Sequence, residues 1–247
     1  MDICNIIELG IVEYQQAWDL QRQLAEARAQ QQIDDTLILL EHPHTFTLGR
    51  STHIEHLLLS REECVNRGIQ VIEVDRGGDI TYHGPGQLVA YPIRYLGKPD
   101  PQGRLVQADY VGYIRLLEEV LIRTIAPFGI RGRRESGLTG VWIDTRVGPA
   151  KIAAIGVRVN ARGISMHGVA LNVTTDLSYF DGIVPCGIHD KAVTSLWALM
   201  RASVPKMQDV SESFASAFME VFNCTLAPSS IGELLPAYTG ELEGRSY

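Results

Sequence analysis

Of the four cysteines, Cys4, Cys64, Cys186 and Cys224, only Cys186 occupies a setting that favours reactivity. It stands in the stretch Ile-Val-Pro-Cys-Gly-Ile, between Pro185 and Gly187. Those neighbours hold the chain in a tight loop away from a packed core, where a thiol can meet a substrate. Cys4 reads as part of a strand, and Cys64 and Cys224 as lying in or beside helices. In such places cysteine is ordinarily a packing residue. No pair has C-x-x-C spacing, which removes support for a metal or dithiol site, and no G-x-S-x-G elbow competes for the role of nucleophile. A lone cysteine in such a loop is more often structural than catalytic, but if reactive it would supply a thiolate nucleophile.

Three glycine-rich segments could shape a site around it. In Arg76 to Ile93, the Gly77-Gly78 pair and the Gly84-Pro85-Gly86 turn let the backbone approach a ligand closely, because glycine lacks Cβ. Thr81, Tyr82 and His83 place polar groups between them, although a plain hairpin would use the same turn residues. The segment carries neither G-x-G-x-x-G nor G-x-x-x-x-G-K-[ST], so dinucleotide and P-loop phosphate binding are not indicated. In Gly148 to Val159, Lys151 opens an otherwise apolar strand. Such a lysine is usually a solvated strand end, but an amine there can also serve as a base. The small residues Ala153, Ala154 and Gly156 leave room beside the strand for a chain-like substrate. In Ile164 to Val173, the pair His167-Gly168 interrupts the apolar pattern, which marks a bulge or a close ligand approach. His167 alone is more often a structural hydrogen-bonder than a catalyst. Neither Glu41-His42 nor His53 to His56 has H-E-x-x-H spacing, and no metal site is expected.

The elements that must position these residues follow from periodicity. Cys4 to Val12 reads as a strand, and Tyr14, Ala17, Trp18, Leu24 and Ala25 recur at helical spacing as far as Gln30. Thr36 to Leu40 has the short apolar run of a buried strand, and the following EHPHTFTLGR reads as loop. Ser60, with Glu63 three residues on, predicts a capped short helix ending near Gly68, before a strand over Ile69 to Val74. Tyr110, Ile114, Leu117, Leu121, Ile125 and Phe128 predict a long amphipathic helix. Leu138 to Ile143, Lys151 to Val159 and Ser165 to Val173 read as strands, with Arg162-Gly163 turning between the last two. Val210, Phe214, Ala217, Phe218 and Val221 mark a late helix. Gly97 to Ala108 reads as a surface loop, and the tail after about Leu226 as weakly patterned and peripheral. Strands in consecutive groups with few helices between them predict an α+β domain with a mixed sheet.

Composition narrows the function classes. The chain of 247 residues is expected to form one domain, residues 1–247, and can bury roughly 70–75% of its unfolded surface without a metal or disulfide. Hydrophobic residues make up 45% and charged residues 21%, as in ordinary globular proteins. A net charge of −7 argues against nucleic-acid binding, which needs clustered cations. An acidic partner would need a local basic patch, for which Arg131, Arg133 and Arg134 are the sequence candidates. The N-terminus has no basic n-region, and no run of about 18 apolar residues could span a membrane, so a cytoplasmic, reduced protein is expected. Monomer is the default expectation.

Taken together, the stretches EHPHTFTLGR, RGGDITYHGPGQLVAYPI, LTGVWID, KIAAIGVRV, HGVALNV, IVPCGI and AVTSLW resemble the lipoyl(octanoyl) transferase family, in the family's order from about Thr36 to Trp197. The resemblance implies the fold of the biotin and lipoate ligase catalytic domain, a larger mixed sheet plus a smaller one flanked by helices. It implies transfer of an octanoyl or lipoyl group from acyl carrier protein, through a Cys186 thioester, to a lysine of a lipoyl domain. Lys151 would be the partner of Cys186. Acceptors would be the lipoyl domains of 2-oxoacid dehydrogenases and the glycine cleavage H protein. Arg76, Gly77, Gly78, Asp79, Ile80, Thr81, Tyr82 and His83, with Ala154, Ile155 and Gly156 and with Gly168, Val169 and Ala170, would line the acyl pocket. No cofactor is implied, because the donor is already a thioester and transfer to an amine needs no ATP.

That chemistry suits the residues. An ordinary thiol, with a pKa of about 8.5, is only a few per cent ionised at neutral pH, and an adjacent ammonium favours the thiolate. An acceptor lysine is protonated and must lose a proton before it attacks. The nearest rival is an ATP-dependent lipoate or biotin ligase of the same fold. A further alternative is an inactive binder of lipoyl domains or carrier protein.

Overall fold

The computed structural model of the chain describes residues 2–97, 109–184 and 192–240. Cys186 and nearly all of the loop expected over Gly97 to Ala108 lie outside the described residues. In chain order the elements are β1 (Asp2–Ile11), α1 (Tyr14–Ala29), β2 (Asp35–Glu41), β3 (Thr45–Leu48), α2 (Arg61–Asn66), β4 (Gln70–Glu73), β5 (Ile80–His83) and β6 (Gln87–Ile93). They continue as α3 (Tyr110–Ile125), β7 (Arg133–Glu135), β8 (Leu138–Thr145), β9 (Gly148–Val159), β10 (Ser165–Asn172), β11 (Ala192–Val193), α4 (Leu196–Met200), α5 (Met207–Phe222), β12 (Cys224–Pro228) and α6 (Ile231–Leu234).

Among the described residues, one large mixed sheet runs β12-β1-β2-β6-β10-β9-β8-β7, with β11 added beside β9, and a small sheet runs β4-β3-β5. The α+β reading with a second, smaller sheet therefore holds. The central strands β6 and β10 are buried along their whole length, as expected when both faces of a sheet are covered. On one face, α1 sets Ala17, Leu20 and Leu24 against Ile38, Val89 and Tyr91. On the other, α3 and α5 set Leu117, Leu121, Phe214 and Phe218 against Leu39, Ala90 and Leu171. The buried stripe of α3 is Tyr113, Leu117, Val120, Leu121 and Ile125, while Tyr110 is exposed.

Local chemistry sets several boundaries. Ser60 caps α2 as its spacing predicts: Glu63 N–H donates to the Ser60 hydroxyl at 3.2 Å, and Ser60 N–H to the Glu63 carboxylate at 2.8 Å. The loop expected over EHPHTFTLGR gives way at Thr45–Leu48 to a strand, β3. It is the centre of the small sheet, with ladder partners on both sides, so its backbone is satisfied and all four residues are buried. The short run was hidden between a His-Pro-His and a Gly-Arg. The Gly84-Pro85-Gly86 turn joins no hairpin, because β5 belongs to the small sheet and β6 to the large one. Gly86 takes φ 80°, and a Cβ there would lie 2.5 Å from the Thr174 hydroxyl, so the crossing needs glycine. An edge strand, β12, begins at Cys224 ahead of the weakly patterned tail and runs into it as far as Pro228, in parallel register with β1. No helix among the described residues is long and apolar enough to cross a membrane.

Candidate active site

The site lies where the small sheet and the segment Arg76 to Asp79 meet strands β9 and β10. Backbone hydrogen bonds fasten that segment down: Gly77 N–H donates to Val157 O at 3.0 Å, Arg50 N–H to Arg76 O and Ser51 N–H to Gly78 O, both at 3.1 Å. The β9–β10 register sets Ala154 opposite Ala170 and Gly156 opposite Gly168. Four small residues from neighbouring strands thus form one patch, and the space above it is a slot. Gly168 is small for a second reason, since a Cβ there would lie 2.1 Å from Ala90 O. His167 beside it takes φ 56°, the local distortion that its break in the apolar pattern predicts.

Arg76 closes one side of the slot. Its guanidinium is buried and donates to Thr47 O at 2.7 Å, to the Thr47 hydroxyl at 2.8 Å and to Gly77 O at 3.0 Å. Across from it stands a chain of aromatic and imidazole groups. His42 donates Nδ1–H to Val12 O at 2.6 Å and accepts at Nε2 from the Tyr91 hydroxyl at 2.7 Å. His83 donates Nδ1–H to Gln87 Oε1 at 2.8 Å. His167 donates Nε2–H to Asp75 at 2.8 Å and faces the Tyr14 hydroxyl with Nδ1 at 3.2 Å.

Burial keeps this wall uncharged. It presses the pKa of His42 down to about 4, against the opposing pull of the Val12 carbonyl. His167 is pressed to about 3 by burial and by Arg76, Arg158 and Arg22; the charge of Asp75 is already met by Arg158. His83 is lowered well below the usual imidazole range by burial, His42 and Arg76. Tyr14 is pushed up to about 12, chiefly by burial. At neutral pH the rings of this wall are therefore uncharged, and the charged groups of the slot are Arg76 and, at its border with the hollow, Asp79.

The slot opens on a wider hollow. They share Gly77, Gly78, Asp79, Ala154, Ile155 and Gly156, but the slot holds about 50 Å³ and the hollow about 580 Å³. The first suits a thin chain, the second a bulkier reacting group. Lys151 lies on the wall of the hollow, half-buried, with Nζ 4.8 Å from the centroid of the Trp142 ring. Opposite elements supply His56 and Asp79. His56 Nδ1–H donates to Asp79 Oδ2 at 2.5 Å, and the other carboxylate oxygen accepts from Ile80 N–H at 2.7 Å.

Most residues expected at the site converge. Arg76, Gly77, Gly78, Asp79, Thr81 and His83 line the slot, as do Ala154, Ile155, Gly156, Gly168, Val169 and Ala170. Ile80 and Tyr82 do not, because alternation along β5 turns them to the other face. There both are fully buried in the core of the small sheet, with Tyr82 Oη 2.8 Å from His44 Nδ1 and its ring stacked on Tyr179 at 5.0 Å. Lys151 stands in the adjoining hollow, and Cys186 lies outside the described residues. Cys4, Cys64 and Cys224 are buried free thiols, as packing roles require. Sequence reasoning missed Tyr14 and Tyr91, whose apolar periodicity reads as core, and His56, whose pairing with Asp79 spans 23 residues. The candidate basic patch is largely neutralised: Arg133 pairs with Asp144 and Glu135, and Arg134 with Glu118 and Glu119.

Comparison with known proteins gives one answer at two levels. Residues 13–219 match the lipoyl protein ligase A/B catalytic domain family. The octanoyltransferase of Chloroflexus aurantiacus (strain J-10-fl) is 50% identical over 214 residues, covering 87% of this chain and 92% of the relative. That of Acidobacterium capsulatum is 48% identical over 238 residues, covering 95% and 96%. Among solved structures, the bipartite lipoate protein ligase from Thermoplasma acidophilum superposes with a TM-score of 0.68 at 17% identity, covering 95% of this chain and 91% of that one. A lipoate-protein ligase A bound with ATP gives 0.65 at 14% identity, covering 94% and 92%. At those identities the structural likeness speaks for the fold alone.

Proposed function

The chain belongs to the lipoyl protein ligase A/B catalytic domain family, and from that premise we propose that it transfers an octanoyl group from a carrier-protein thioester, through Cys186, to a lysine of a lipoyl domain. The observation that carries the reading is the narrow slot opening on a hollow that holds Lys151. The slot suits the thin end of an unbranched acyl chain that runs on into the hollow, and the hollow suits the transfer at its carbonyl.

Two anchors support Cys186 as the nucleophile. Val184 N–H donates to His56 O at 2.8 Å, and Leu57 and Ile183 form an antiparallel bridge beside it. Further on, Val193 pairs with Lys151 in parallel register, and Thr194 N–H donates to Lys151 O at 2.9 Å. The chain that carries Cys186 is thus fastened on both sides to the walls of the hollow. Cys186 follows Val184 by two positions, and two residues of extended chain span at most about 7 Å between Cα atoms.

The reaction proceeds in two halves. The Cys186 thiolate, paired with the Lys151 ammonium, attacks the donor carbonyl. The carrier thiolate leaves with the Lys151 proton, so a thioester is exchanged for one of nearly equal energy. The acceptor amine then attacks the Cys186 thioester, its proton passes to neutral Lys151, and the Cys186 thiolate leaves beside the restored ammonium. Acceptors on this reading are the lipoyl domains of 2-oxoacid dehydrogenases and the glycine cleavage H protein. Site residues run from Tyr14 to Gly168 and beyond, which favours one catalytic domain over two.

Intact-mass measurement without ATP tests the reading. Mixing with octanoyl-carrier protein should add one octanoyl group, and adding a lipoyl domain should remove it. Cys186→Ser should abolish the adduct, and Lys151→Ala should slow both halves. An adduct of unchanged yield on Cys186→Ser, or transfer only when ATP is supplied, would overturn it.

A further inference from the structure

The second half-reaction has a proton that Lys151 does not account for. An acceptor lysine enters as R–NH3+ and ends as an amide N–H, so its nitrogen loses two protons. One passes through Lys151 as the Cys186 thiolate departs. The other must leave before attack, because an ammonium has no lone pair with which to form the C–N bond. A second acceptor on the wall of the hollow would take it there, where only a small fraction of the incoming lysine is otherwise neutral.

We propose that His56, oriented by Asp79, is that acceptor: Nε2 takes the first proton of the incoming ammonium and returns it to solvent. The inference rests on the acyl-transfer reading above. His56 is in the right place, since it shares the hollow with Lys151, and its carbonyl anchors Val184 ahead of Cys186. It is also held in the right form. Asp79 is fixed by Ile80 N–H on one oxygen and takes His56 Nδ1–H on the other. With Nδ1–H so committed, the neutral ring accepts protons at Nε2. This is the orienting role a carboxylate plays behind a general-base histidine. Titratable groups near the ring among the described residues include His53, with ring centroids 5.4 Å apart, Glu55 beside His53, and Lys151 on the wall of the same hollow.

The balance closes. The ammonium gives one proton to His56 and becomes the amine. The C–N bond forms, the second proton passes to Lys151, the C–S bond breaks, and His56 returns its proton to water. No oxidant or co-reactant enters.

The test separates the halves on pre-formed octanoyl-enzyme. For His56→Gln, transfer to a lipoyl domain should fall by about 100-fold or more, the usual size of a general-base contribution. Loading from octanoyl-carrier protein should fall far less, and the ascending limb of the transfer pH profile should move to higher pH. Hydroxylamine, neutral at pH 8, has no first proton to lose, so it should deacylate the variant within about 3-fold of the wild-type rate. Asp79→Asn, which upsets the tautomer but keeps the ring, should give an intermediate loss with the same hydroxylamine response. Transfer by His56→Gln within about 3-fold of wild type, or hydroxylamine slowed as much as the lipoyl domain, would overturn the inference. Failure of the wild-type enzyme to load at all would instead sink the acyl-transfer reading, and this inference with it.

Discussion

The slot is walled mainly by rings that burial keeps neutral, with the buried Arg76 on one side and Asp79 at the border it shares with the hollow, whereas the hollow adds Lys151 and the His56 imidazole paired to Asp79. Both use Gly77 to Asp79 and Ala154 to Gly156. The difference shows how one pair of strands serves two tasks. Inside, small residues in register make a smooth channel, and hydrogen-bonded rings close it without placing titrating charge beside an alkyl chain. Outside, Lys151 is half-buried and 16% of the His56 side chain is exposed. Buried imidazoles with pKa near 3 or 4 do not trade protons at neutral pH, so the slot is suited to holding a chain rather than to moving protons.

The largest effect expected from this contrast is on stability in acid. In the unfolded chain the imidazoles titrate near 6.5, but in the fold His42 does so at about 4 and His167 at about 3. A base whose folded pKa is lowered costs nothing above the unfolded value. Its penalty grows as pH falls toward the folded one, because the unfolded chain then binds more protons. Stability is therefore complete above about pH 6.5 and declines below it, by several kcal/mol in sum by pH 4, enough to unfold a domain of ordinary stability. Thermal melts between pH 7 and 5 should show the fall before most carboxylates titrate. His42→Gln can still donate to Val12 O and accept from Tyr91, and should flatten it. A flat melting temperature in the wild-type protein would mean that the slot wall is not held neutral.

Next comes the channel itself. Ala154→Phe fills the patch opposite Ala170 and should cut octanoyl transfer by about 100-fold, or ~2.7 kcal/mol in barrier. Acetyl thioesters, whose chain barely enters the slot, should lose less than 10-fold. Equal losses for both chain lengths would place the acyl chain elsewhere.

How much of this was legible in sequence depends on how far apart the partners lie. Strands β9 and β10, with Ala154, Gly156 and Gly168, could be read because a period of two and small residues are local signals. The Ser60 capping box and helix α3 were legible for the same reason. Strand β3 was not, because four residues carry too little periodicity and its burial comes from partners at Gln70 to Glu73 and Ile80 to His83. The motif Arg76 to His83 was read as a continuous lining, yet alternation sends Ile80 and Tyr82 into the core behind it. Tyr14 belongs to the slot through His167, 153 residues away, and His56 to the hollow through Asp79. Neither spacing has a local signature.

A smaller effect tests the polar wall. Tyr14→Phe keeps the ring, which stacks on His83 at 5.6 Å, and removes the hydroxyl that faces His167 Nδ1. A buried acceptor left without its donor costs about 1–2 kcal/mol. The melting temperature should fall by several degrees while octanoyl transfer changes little. A large loss of transfer with unchanged stability would give the hydroxyl a part in the chemistry.

The smallest expected effect is the most pointed, because it asks whether position in the hollow is sufficient. His53 and His56 both line it, with ring centroids 5.4 Å apart, but their surroundings differ. The His53 side chain is 69% exposed, and its carboxylate contact, Glu55, lies 3.8 Å away and is equally exposed, whereas Asp79 holds His56 at 2.5 Å with 16% of the His56 side chain exposed. An exposed pair of that kind contributes little, and a ring free to turn does not keep one nitrogen aimed at an incoming amine. His53→Ala should therefore leave transfer to a lipoyl domain within about 2-fold of wild type, while His56→Gln lowers it by about 100-fold. A loss at His53 as large as that at His56 would show that the hollow needs imidazole in general, and the carboxylate-held ring would lose its special role.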